Sequence, residues 1–287
     1  MKLIKFLLLI PLTIVFIFLS VTPFTGCEKT VTIHDTTVIT KHDTTIKRDT
    51  TVVKDTLYDI TSGLVAWYNF NGGTLKDSSG FNNHIVFNNA TATTDRFGRT
   101  GNAYLFNGTS SYMQVNNSNS LNPNSITMFA IVKVNGFYAG PCHGNQLFSK
   151  GYTDNVNGYF AMRFNNLNAC DPIADSAHEY FGAAFGDNYP FGAAAQAGAD
   201  TVYINKGVWY TVTYTYDGLT SRFYVNGTLK KEIQKAVPFT ATSSNFMIGR
   251  QENPSYPYWL NGVLDEIRIY NRALPQPAIT LLNKLNN

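Results

Sequence analysis

The amino-acid sequence predicts an all-β protein, an antiparallel jelly-roll β-sandwich that ends in a short helix. The 287 residues are 14% aromatic and only 14% charged, whereas a soluble domain carries roughly 25% charged residues. This composition excludes a fully disordered chain, because disorder accompanies few aromatics and a high net charge. From residue 63 onward, short alternating or aromatic runs recur, and most of them end at Gly, Asn or Asp, as strands joined by turns do.

Residues 1–26 have the layout of a secretory signal peptide. Lys2 and Lys5 precede an uncharged run over residues 6–21, which is shorter than the roughly 20 apolar residues of a membrane-spanning helix. Gly26 stands directly before Cys27, and this pair resembles the lipoprotein cleavage site, at which the cysteine is lipidated and becomes the first residue. The alternative is an uncleaved N-terminal membrane anchor. Both interpretations place the rest of the chain outside the cytoplasm, tethered at its N-terminus.

Residues 27–60 are predicted to form an extended Thr/Asp-rich stalk. An Asp-Thr repeat recurs at even intervals, at Asp35, Asp43, Asp49 and Asp55. Even spacing places these carboxylates on one face of an extended chain, and the β-branched Thr, Val and Ile disfavour a helix. No face is continuously apolar, so the segment cannot build a core of its own. The alternative is a self-associating β or coiled stalk.

The basic residues argue against a nucleic-acid partner. The formal net charge is +3, and it includes Lys2 and Lys5 of the predicted signal peptide. Beyond Lys47-Arg48 and Lys230-Lys231 the later chain has no basic cluster. Because a nucleic-acid surface needs a concentrated basic footprint, we exclude this class of partner.

Two cysteines remain in the exported chain once Cys27 is set aside. Cys142 and Cys170 have no CxxC spacing, and His143 has no second histidine near Cys170, which argues against a zinc site. An oxidising compartment favours their pairing, and closure of a loop of about 28 residues would stabilise the fold by roughly 3–4 kcal/mol. We therefore predict a disulfide; the alternative is two free thiols.

Residues 61–287 are predicted to form the sandwich domain. Asp217-Gly218 and Asn226-Gly227 are hairpin-turn signals, and the apolar residues of 275–282 predict one or two helical turns packed against a sheet. Many short strands separated by turn residues are typical of a sandwich or a barrel. The expected strands are 63–70, 103–106, 112–115, 125–134, 146–149, 158–164, 180–185, 200–204, 209–216, 221–225, 246–249 and 262–270.

Four blocks of this domain carry a family resemblance. They read GLVAWYNF (63–70) followed by turn residues to His84; AYLFNG (103–108) with SYMQV (111–115); WYTV (209–212) with YDG (216–218) and YVNG (224–227); and GVLDEIRIYNRAL (262–274). In this order they resemble laminin G-like domains of the concanavalin A-like lectin/glucanase superfamily. The resemblance covers roughly 63–283, departs over 138–200, and implies a concanavalin A-like jelly roll.

That superfamily includes glucan hydrolases, so the carboxylates decide whether catalysis is feasible. Glycoside hydrolysis normally needs two carboxylates about 5–9.5 Å apart. Hydrolases of the superfamily often carry them as Glu-x-Asp-x-x-Glu on one strand, a run that is absent here. Asp265 and Glu266 are adjacent, so a strand points them to opposite faces. We predict that the chain is not an enzyme.

Non-catalytic binding of a glycan or glycoconjugate is the predicted function. Sugar-binding faces combine aromatic platforms with amide and carboxylate groups, and function on a sandwich lies more often in loops; the concave sheet is the alternative location. For each single ring, packing is the competing interpretation, and Trp67 and Trp209, in apolar strands, are predicted to be core. The predicted ligand-binding residues are Tyr152, Asp154, Asn157, Tyr189, Phe191, Tyr256 and Trp259.

The resemblance also implies a structural calcium ion near the junction of the first and last strands. Calcium takes six to eight oxygen ligands from carboxylates, amides and carbonyls. The oxygen donors at that junction are Asn71, Asp77 and Asp265. The alternatives are a turn cap for Asp77, before Ser78-Ser79-Gly80, and a structural hydrogen bond for Asp265.

These inferences together predict a lipoprotein of the bacterial cell envelope, on the outer-membrane surface or the periplasmic face. Its partners are expected to be the membrane, through the N-terminal lipid anchor, and a glycan. A protein–protein adhesion or structural module with a surface protein partner is the alternative function, and a glycan-active hydrolase is the third.

Overall fold

The computed structural model describes residues 28–30, 56–138, 140, 144–151, 160–165, 178–186 and 203–285. The chain divides into two compact units, residues 1–57 and 58–287. Strands β1 (Glu28–Thr30) and β2 (Thr56–Tyr58) pair in a two-stranded sheet. The predicted signal peptide, Cys27 and most of the predicted stalk lie outside the described residues.

The second unit begins at Tyr58, three residues before the boundary predicted from the sequence. The Ile60 carbonyl accepts a hydrogen bond from the Tyr270 hydroxyl (2.9 Å), and the Asp59 carbonyl accepts one from Arg272 Nη2 (2.6 Å). Its strands are β3 (Leu64–Tyr68), β4 (Ile85–Asn88), β5 (Thr91–Thr93), β6 (Ala103–Asn107), β7 (Met113–Val115), β8 (Ile126–Val134), β9 (Asn145–Lys150), β10 (Phe160–Asn165), β11 (His178–Phe185), β12 (Tyr203–Asn205), β13 (Trp209–Tyr216), β14 (Thr220–Val225), β15 (Thr228–Gln234), β16 (Phe246–Ile248) and β17 (Asn261–Tyr270).

These strands form two antiparallel sheets, which confirms the predicted sandwich. One sheet has the order β12-β11-β10-β9-β16-β7-β4; the other has the order β15-β14-β13-β8-β17-β6-β5, with β3 also paired to β17. The 3₁₀ turns η1 (Asn71–Gly73) and η2 (Asn119–Leu121) and the helix α1 (Gln276–Leu285) complete the described elements. No helix within the described ranges is long and apolar enough to cross a membrane.

The hairpin signals of the sequence are confirmed. Asp217 Oδ1 accepts hydrogen bonds from the backbone N–H of Leu219 (3.0 Å) and Thr220 (2.8 Å) and so closes the β13–β14 turn. Asn226 (φ 50°) and Gly227 (φ 73°) are both left-handed, as a two-residue type I′ turn between β14 and β15 requires.

Aromatic side chains fill the space between the sheets. Phe181 of β11 meets Phe223 of β14 with ring centroids 6.1 Å apart, and Phe185 meets Tyr216 of β13 at 4.9 Å. Phe246 of β16 packs on Tyr68 of β3 at 6.4 Å. Because successive side chains of a strand point to opposite faces, every second residue of these strands enters this core.

A second apolar cluster lies on the outer face of the eight-stranded sheet. Ala278, Ile279 and Leu282 of α1 are buried there against Phe129 and Tyr270, among others. This confirms the predicted C-terminal helix and its packing against a sheet. The helix converts a face that would meet water into a second buried layer.

The prediction that Trp67 and Trp209 are core residues is wrong. Both are only partly buried and lie at the margin of the outer cluster, not between the sheets. Trp209 pairs across the strands with Lys133, whose Nζ lies 5.0 Å from its ring centroid. Trp67 pairs with Arg268, whose Cζ lies 4.5 Å from the indole. The outer face is apolar because α1 covers it, so an apolar strand does not reveal which face is inside.

Candidate ligand-binding surface

Four side chains converge where three neighbouring strands of the seven-stranded sheet end. In the register of β16, β7 and β4, Ile248 pairs with Met113, which pairs with Asn88. Phe87 lies in β4, Tyr112 directly precedes β7, and Arg250 follows β16 by two residues. The Leu260 N–H donates to the Gly249 carbonyl at 2.9 Å and so brings Trp259 beside Arg250. We call Phe87, Tyr112, Arg250 and Trp259 the Trp259 surface.

The three rings of the Trp259 surface lie in a row. Phe87 and Tyr112 stack with centroids 4.6 Å apart and an interplanar angle of 28°. Tyr112 and Trp259 are 6.0 Å apart and tilted by 51°. Phe87 is 41% exposed, and Tyr112 and Trp259 are half-buried. The row therefore offers aromatic surface to solvent while each ring is held by its neighbour.

Arg250 supplies the positive charge of this surface. Its Cζ lies 5.0 Å from the Tyr112 centroid and 4.8 Å from that of Trp259, within the range of a cation–π interaction. Nε donates to the Gln251 carbonyl (2.8 Å) and Nη2 to the Glu252 carbonyl (3.3 Å). Burial lowers the pKa of Arg250, and the electrostatic effect of Tyr112 and Glu252 opposes this shift. The guanidinium remains charged at neutral pH.

The loop between Arg250 and Trp259 is fixed by two buried amide side chains. The Gln251 backbone N–H donates to the Pro257 carbonyl (3.0 Å), and its Nε2 donates to the Tyr256 carbonyl. Asn253 Oδ1 accepts from the N–H of Ser255 (2.8 Å) and of Tyr256 (3.3 Å). A loop held in this way is ordered before any ligand arrives, which lowers the entropic cost of binding.

Tyr258 occupies a strained backbone conformation beside the Trp259 surface. Its φ is 47°, a left-handed value that is uncommon for a bulky residue. The Gln146 N–H binds its carbonyl at 2.9 Å, and the Arg163 Cζ lies 4.4 Å from its ring centroid. Tyr138 and Tyr256 flank the ring at 6.3 Å and 6.2 Å. Strained residues held by their surroundings are concentrated at functional sites.

Two of the predicted ligand-binding residues lie in this loop. Trp259 belongs to the Trp259 surface, and Tyr256, which is 45% exposed, neighbours it through Tyr258. The remaining predicted residues lie outside the described residues and stay predictions: Tyr152, Asp154, Asn157, Tyr189, Phe191, and the cysteines Cys27, Cys142 and Cys170.

The surroundings of Asp77 do not fit a calcium ion. Oδ1 accepts hydrogen bonds from the N–H of Trp67 (2.9 Å) and Ser79 (2.8 Å), and Oδ2 accepts from Ser79 Oγ (2.8 Å) and the Asn83 N–H (2.9 Å). These four donors occupy the lone pairs that a cation would need. Asp77 therefore caps the turn that follows it, the alternative considered from the sequence, and ties that turn to β3.

Asp265 and Asn71 have other partners. Asp265 lies at a bulge of β17, where Oδ2 accepts from Arg96 Nη1 (2.6 Å) and the Arg96 N–H (3.2 Å). Burial raises the pKa of Asp265, although Arg96 opposes the shift. Asn71 is exposed and donates its N–H to Asn69 Oδ1. Across the described segments, no group of three or more His, Cys, Asp or Glu could hold a metal ion.

The adjacent carboxylates Asp265 and Glu266 serve separate structural contacts. Glu266 Oε1 accepts from Trp67 Nε1 at 2.8 Å and pairs with the Arg268 guanidinium on the outer face. Asp265 is bound to Arg96 instead. Each of these carboxylate oxygens accepts a hydrogen bond from a protein donor. This arrangement differs from that of two carboxylates that flank a glycosidic bond.

Phe87, Tyr112 and Arg250 were not among the residues predicted to bind a ligand. Tyr112 was predicted within a strand, and the strand that contains Phe87 was not predicted. The apolar pair Val86-Phe87 next to polar Asn88-Asn89 is a sequence signal that could have pointed to Phe87, and in the structure both apolar side chains are exposed.

The two antiparallel sheets form a lectin-like sandwich, and an ordered, ring-bearing loop lies at the strand ends. The sequence matches the family model described as "Concanavalin A-like lectin/glucanases superfamily", of the laminin G type, over residues 107–280, more than half of the chain. The chain belongs to this laminin G-like family of the concanavalin A-like superfamily. No curated protein matches the sequence.

Solved structures of domains from other proteins share the fold. Domain 4 of AbnA, an extracellular GH43 arabinanase from Geobacillus stearothermophilus, in complex with arabinotriose, is 19% identical with a TM-score of 0.53; the match covers 77% of this chain and 98% of that one. The binding domain of botulinum neurotoxin DC in complex with SialylT is 11% identical (TM-score 0.54, 80% and 53% covered). The binding domain of Paraclostridial Mosquitocidal Protein 1 is 14% identical (TM-score 0.55, 79% and 53%). The match thus spans about half of each toxin binding domain.

Proposed function

We propose that this protein binds a glycan without catalysis, through the Trp259 surface. The observation that carries the proposal is the row of three partly exposed rings, fixed beside one arginine at the ends of three adjacent strands. The C–H faces of a sugar pack on aromatic rings, and its hydroxyls accept hydrogen bonds from a guanidinium. A few convergent polar groups among aromatic side chains are typical of a small-ligand site.

The structural neighbours support a binding role. The arabinanase domain is in complex with arabinotriose, and cell entry of botulinum neurotoxin type C, another structural neighbour, depends on interaction with two ganglioside molecules. At identities of 11–19% these likenesses carry the fold and not the ligand. The proposal for this chain therefore depends on its own rings and on Arg250.

The test is a glycan array probed with the purified protein and three variants. Trp259→Ala and Phe87→Ala should each weaken binding at least about tenfold, since loss of one stacked ring removes on the order of 1.4 kcal/mol. Phe97→Ala is the matched control, because Phe97 is also an exposed ring beside an arginine, with Arg96 Cζ 4.2 Å away. Melting curves must be unchanged. Equal binding by all four proteins would place the site elsewhere.

A protein–protein module is the second candidate, and the exposed apolar residues near β4 favour it. Phe81, Val86 and Phe87 are 52%, 56% and 41% exposed, and β4 ends the seven-stranded sheet among the described strands. An exposed edge strand can pair with another chain. A blank array, with a protein partner whose capture is lost in Val86→Lys, would support this candidate.

The cellular location belongs to the same proposal. A chain anchored through Cys27 would present the domain at the bacterial cell envelope, where glycans are abundant. Cys27→Ser should abolish incorporation of a labelled fatty acid and leave the precursor uncleaved. A wild-type chain that incorporates no label would remove the anchor from the proposal.

A further inference from the structure

The hydrogen bonds of Arg250 leave one edge of its guanidinium free. The side chain has five N–H donors in a planar fork. Its bonds to the Gln251 and Glu252 carbonyls use Nε and Nη2, and these two nitrogens share one edge of the guanidinium plane. Nη1 has no hydrogen-bond partner among the described residues and is not one of their buried unsatisfied atoms. The opposite edge, formed by Nη1 and the second N–H of Nη2, is therefore open to solvent.

Arg250 also differs from four other arginines of the domain, because no carboxylate of the described residues pairs with it. Arg96, Arg99, Arg222 and Arg268 each form an ion pair with a carboxylate at 2.5–2.8 Å. Within the described part of the chain, no carboxylate forms an ion pair with Arg250. Glu252 acts on it only through longer-range electrostatics, since its contact with the guanidinium is through the backbone carbonyl.

The surroundings of Arg250 increase the strength with which it would hold an anion. Its guanidinium is half-buried and lies over Tyr112 and Trp259. Aromatic rings replace part of its water shell, and a partly desolvated charge interacts more strongly with a counter-ion than a hydrated one. The carbonyls of the ordered loop fix the orientation of the fork, so little side-chain entropy is lost on binding.

We propose that the Trp259 surface binds an acidic glycan, and that the free Nη1–Nη2 edge of Arg250 binds a carboxylate of that glycan. This inference rests on the proposed function of the same surface. Two parallel N–H groups match the two oxygens of a carboxylate, whereas a neutral hydroxyl would use one of them. The ligand class is thus a saccharide with uronic or sialic acid residues, whose rings lie on Trp259, Tyr112 and Phe87.

The test compares acidic glycans with their neutral counterparts on one array and in titration calorimetry. The probes are oligogalacturonate with its methyl ester, and sialyllactose with lactose, together with a sulfated oligosaccharide. The acidic member of a pair should bind at least about tenfold more tightly, as one charge-assisted bidentate contact supplies on that order of discrimination. The preference should fall as salt is raised.

Variants of Arg250 separate charge from geometry. Arg250→Gln should abolish the preference for the acidic member of each pair, and Arg250→Lys should restore only part of that preference, since an ammonium lacks the fork. Arg99→Gln is the matched control, because it also removes one positive charge, from a side chain that is 55% exposed. That control should keep the preference.

The outcomes distinguish this inference from the proposed function. Equal binding of acidic and neutral members, tighter binding of the sulfated probe, or an acid preference that survives in Arg250→Gln would overturn the inference. In those cases, loss of binding in Trp259→Ala would leave the proposed function standing. If Trp259→Ala binds like the wild type, or if no glycan is bound, both fall.

Discussion

Removal of the Asp77 side chain should destabilise the domain strongly and independently of calcium. Asp77 is 7% exposed, and its carboxylate accepts four hydrogen bonds, from three backbone N–H groups and one hydroxyl. These bonds join β3 to the turn that carries Ser79 and Asn83. Asp77→Ala leaves all four donors without their acceptor, whereas Asp77→Asn keeps one oxygen.

The magnitude follows from which donors can reach water. A buried donor left unsatisfied costs about 1–3 kcal/mol. The Asn83 N–H is of this kind, whereas the donors of Trp67 and Ser79 belong to half-buried residues and rehydrate more easily. We expect Asp77→Ala to lower the free energy of unfolding by about 4 kcal/mol and Asp77→Asn by about 2 kcal/mol. Either value is a large part of the roughly 5–15 kcal/mol that holds a domain folded.

The assay is urea unfolding of the purified protein, followed by fluorescence and circular dichroism, with chelator and with excess calcium. Asn71→Ala is the control and should change the free energy of unfolding by less than about 0.5 kcal/mol, because its side chain is exposed. A bound ion would add roughly 2.7 kcal/mol at a hundredfold excess over its Kd. If calcium stabilises the wild type and Asp77→Ala abolishes that gain, Asp77 is a metal ligand and our reasoning is refuted.

Three further predictions concern the free energy of unfolding. Burial lowers the pKa of Lys150 to about 8, below the ordinary value of about 10.4. Between these two values the unfolded chain binds more protons than the folded one, so the free energy of unfolding should rise by about 1 kcal/mol from pH 7 to 9. Lys150→Met should remove this rise. Trp209→Ala should cost about 1–2 kcal/mol in urea unfolding, and Phe246→Ala, which is fully buried, about 3–5 kcal/mol; equal costs would contradict the placement of Trp209. Arg96→Ala leaves Asp265 buried without its partner and should cost about 3 kcal/mol, more at pH 7 than at pH 4, where the carboxyl becomes protonated.

The central strands could be predicted from the sequence because burial imposes a pattern on them. Strand β8, for example, is buried over nearly its whole length, and the run 125–134 predicted it. The missed strands β4, β5 and β15 each lie at the edge of a sheet in the described topology. An edge strand is solvated on one side, so charged and polar residues are tolerated and the alternation is lost. Thr228–Gln234 has no fully buried residue.

The candidate site was only partly predictable, for a different reason. Tyr256 and Trp259 could be found because they crowd one loop with other rings. Phe87, Tyr112 and Arg250 are far apart in sequence and meet only through the order β16-β7-β4, which no local pattern encodes. The predicted loops at 152–157 and 187–191 lie outside the described residues.

The two edge strands β4 and β15 show why the Trp259 surface is better explained by binding than by stability. In β15, Lys230, Lys231 and Glu232 place charges on the edge, the usual protection against edge-to-edge aggregation. In β4 the sequence is Ile-Val-Phe-Asn, with Val86 and Phe87 exposed. Neither the Phe87 ring nor the Val86 side chain enters the core, so these side chains add little to the stability of the fold and expose it to aggregation. Strand β4 thus lacks the charged residues that usually protect an edge strand, at the place where Tyr112 stacks on Phe87. Such a departure is expected at a functional site, since a sugar needs aromatic surface that is open to solvent.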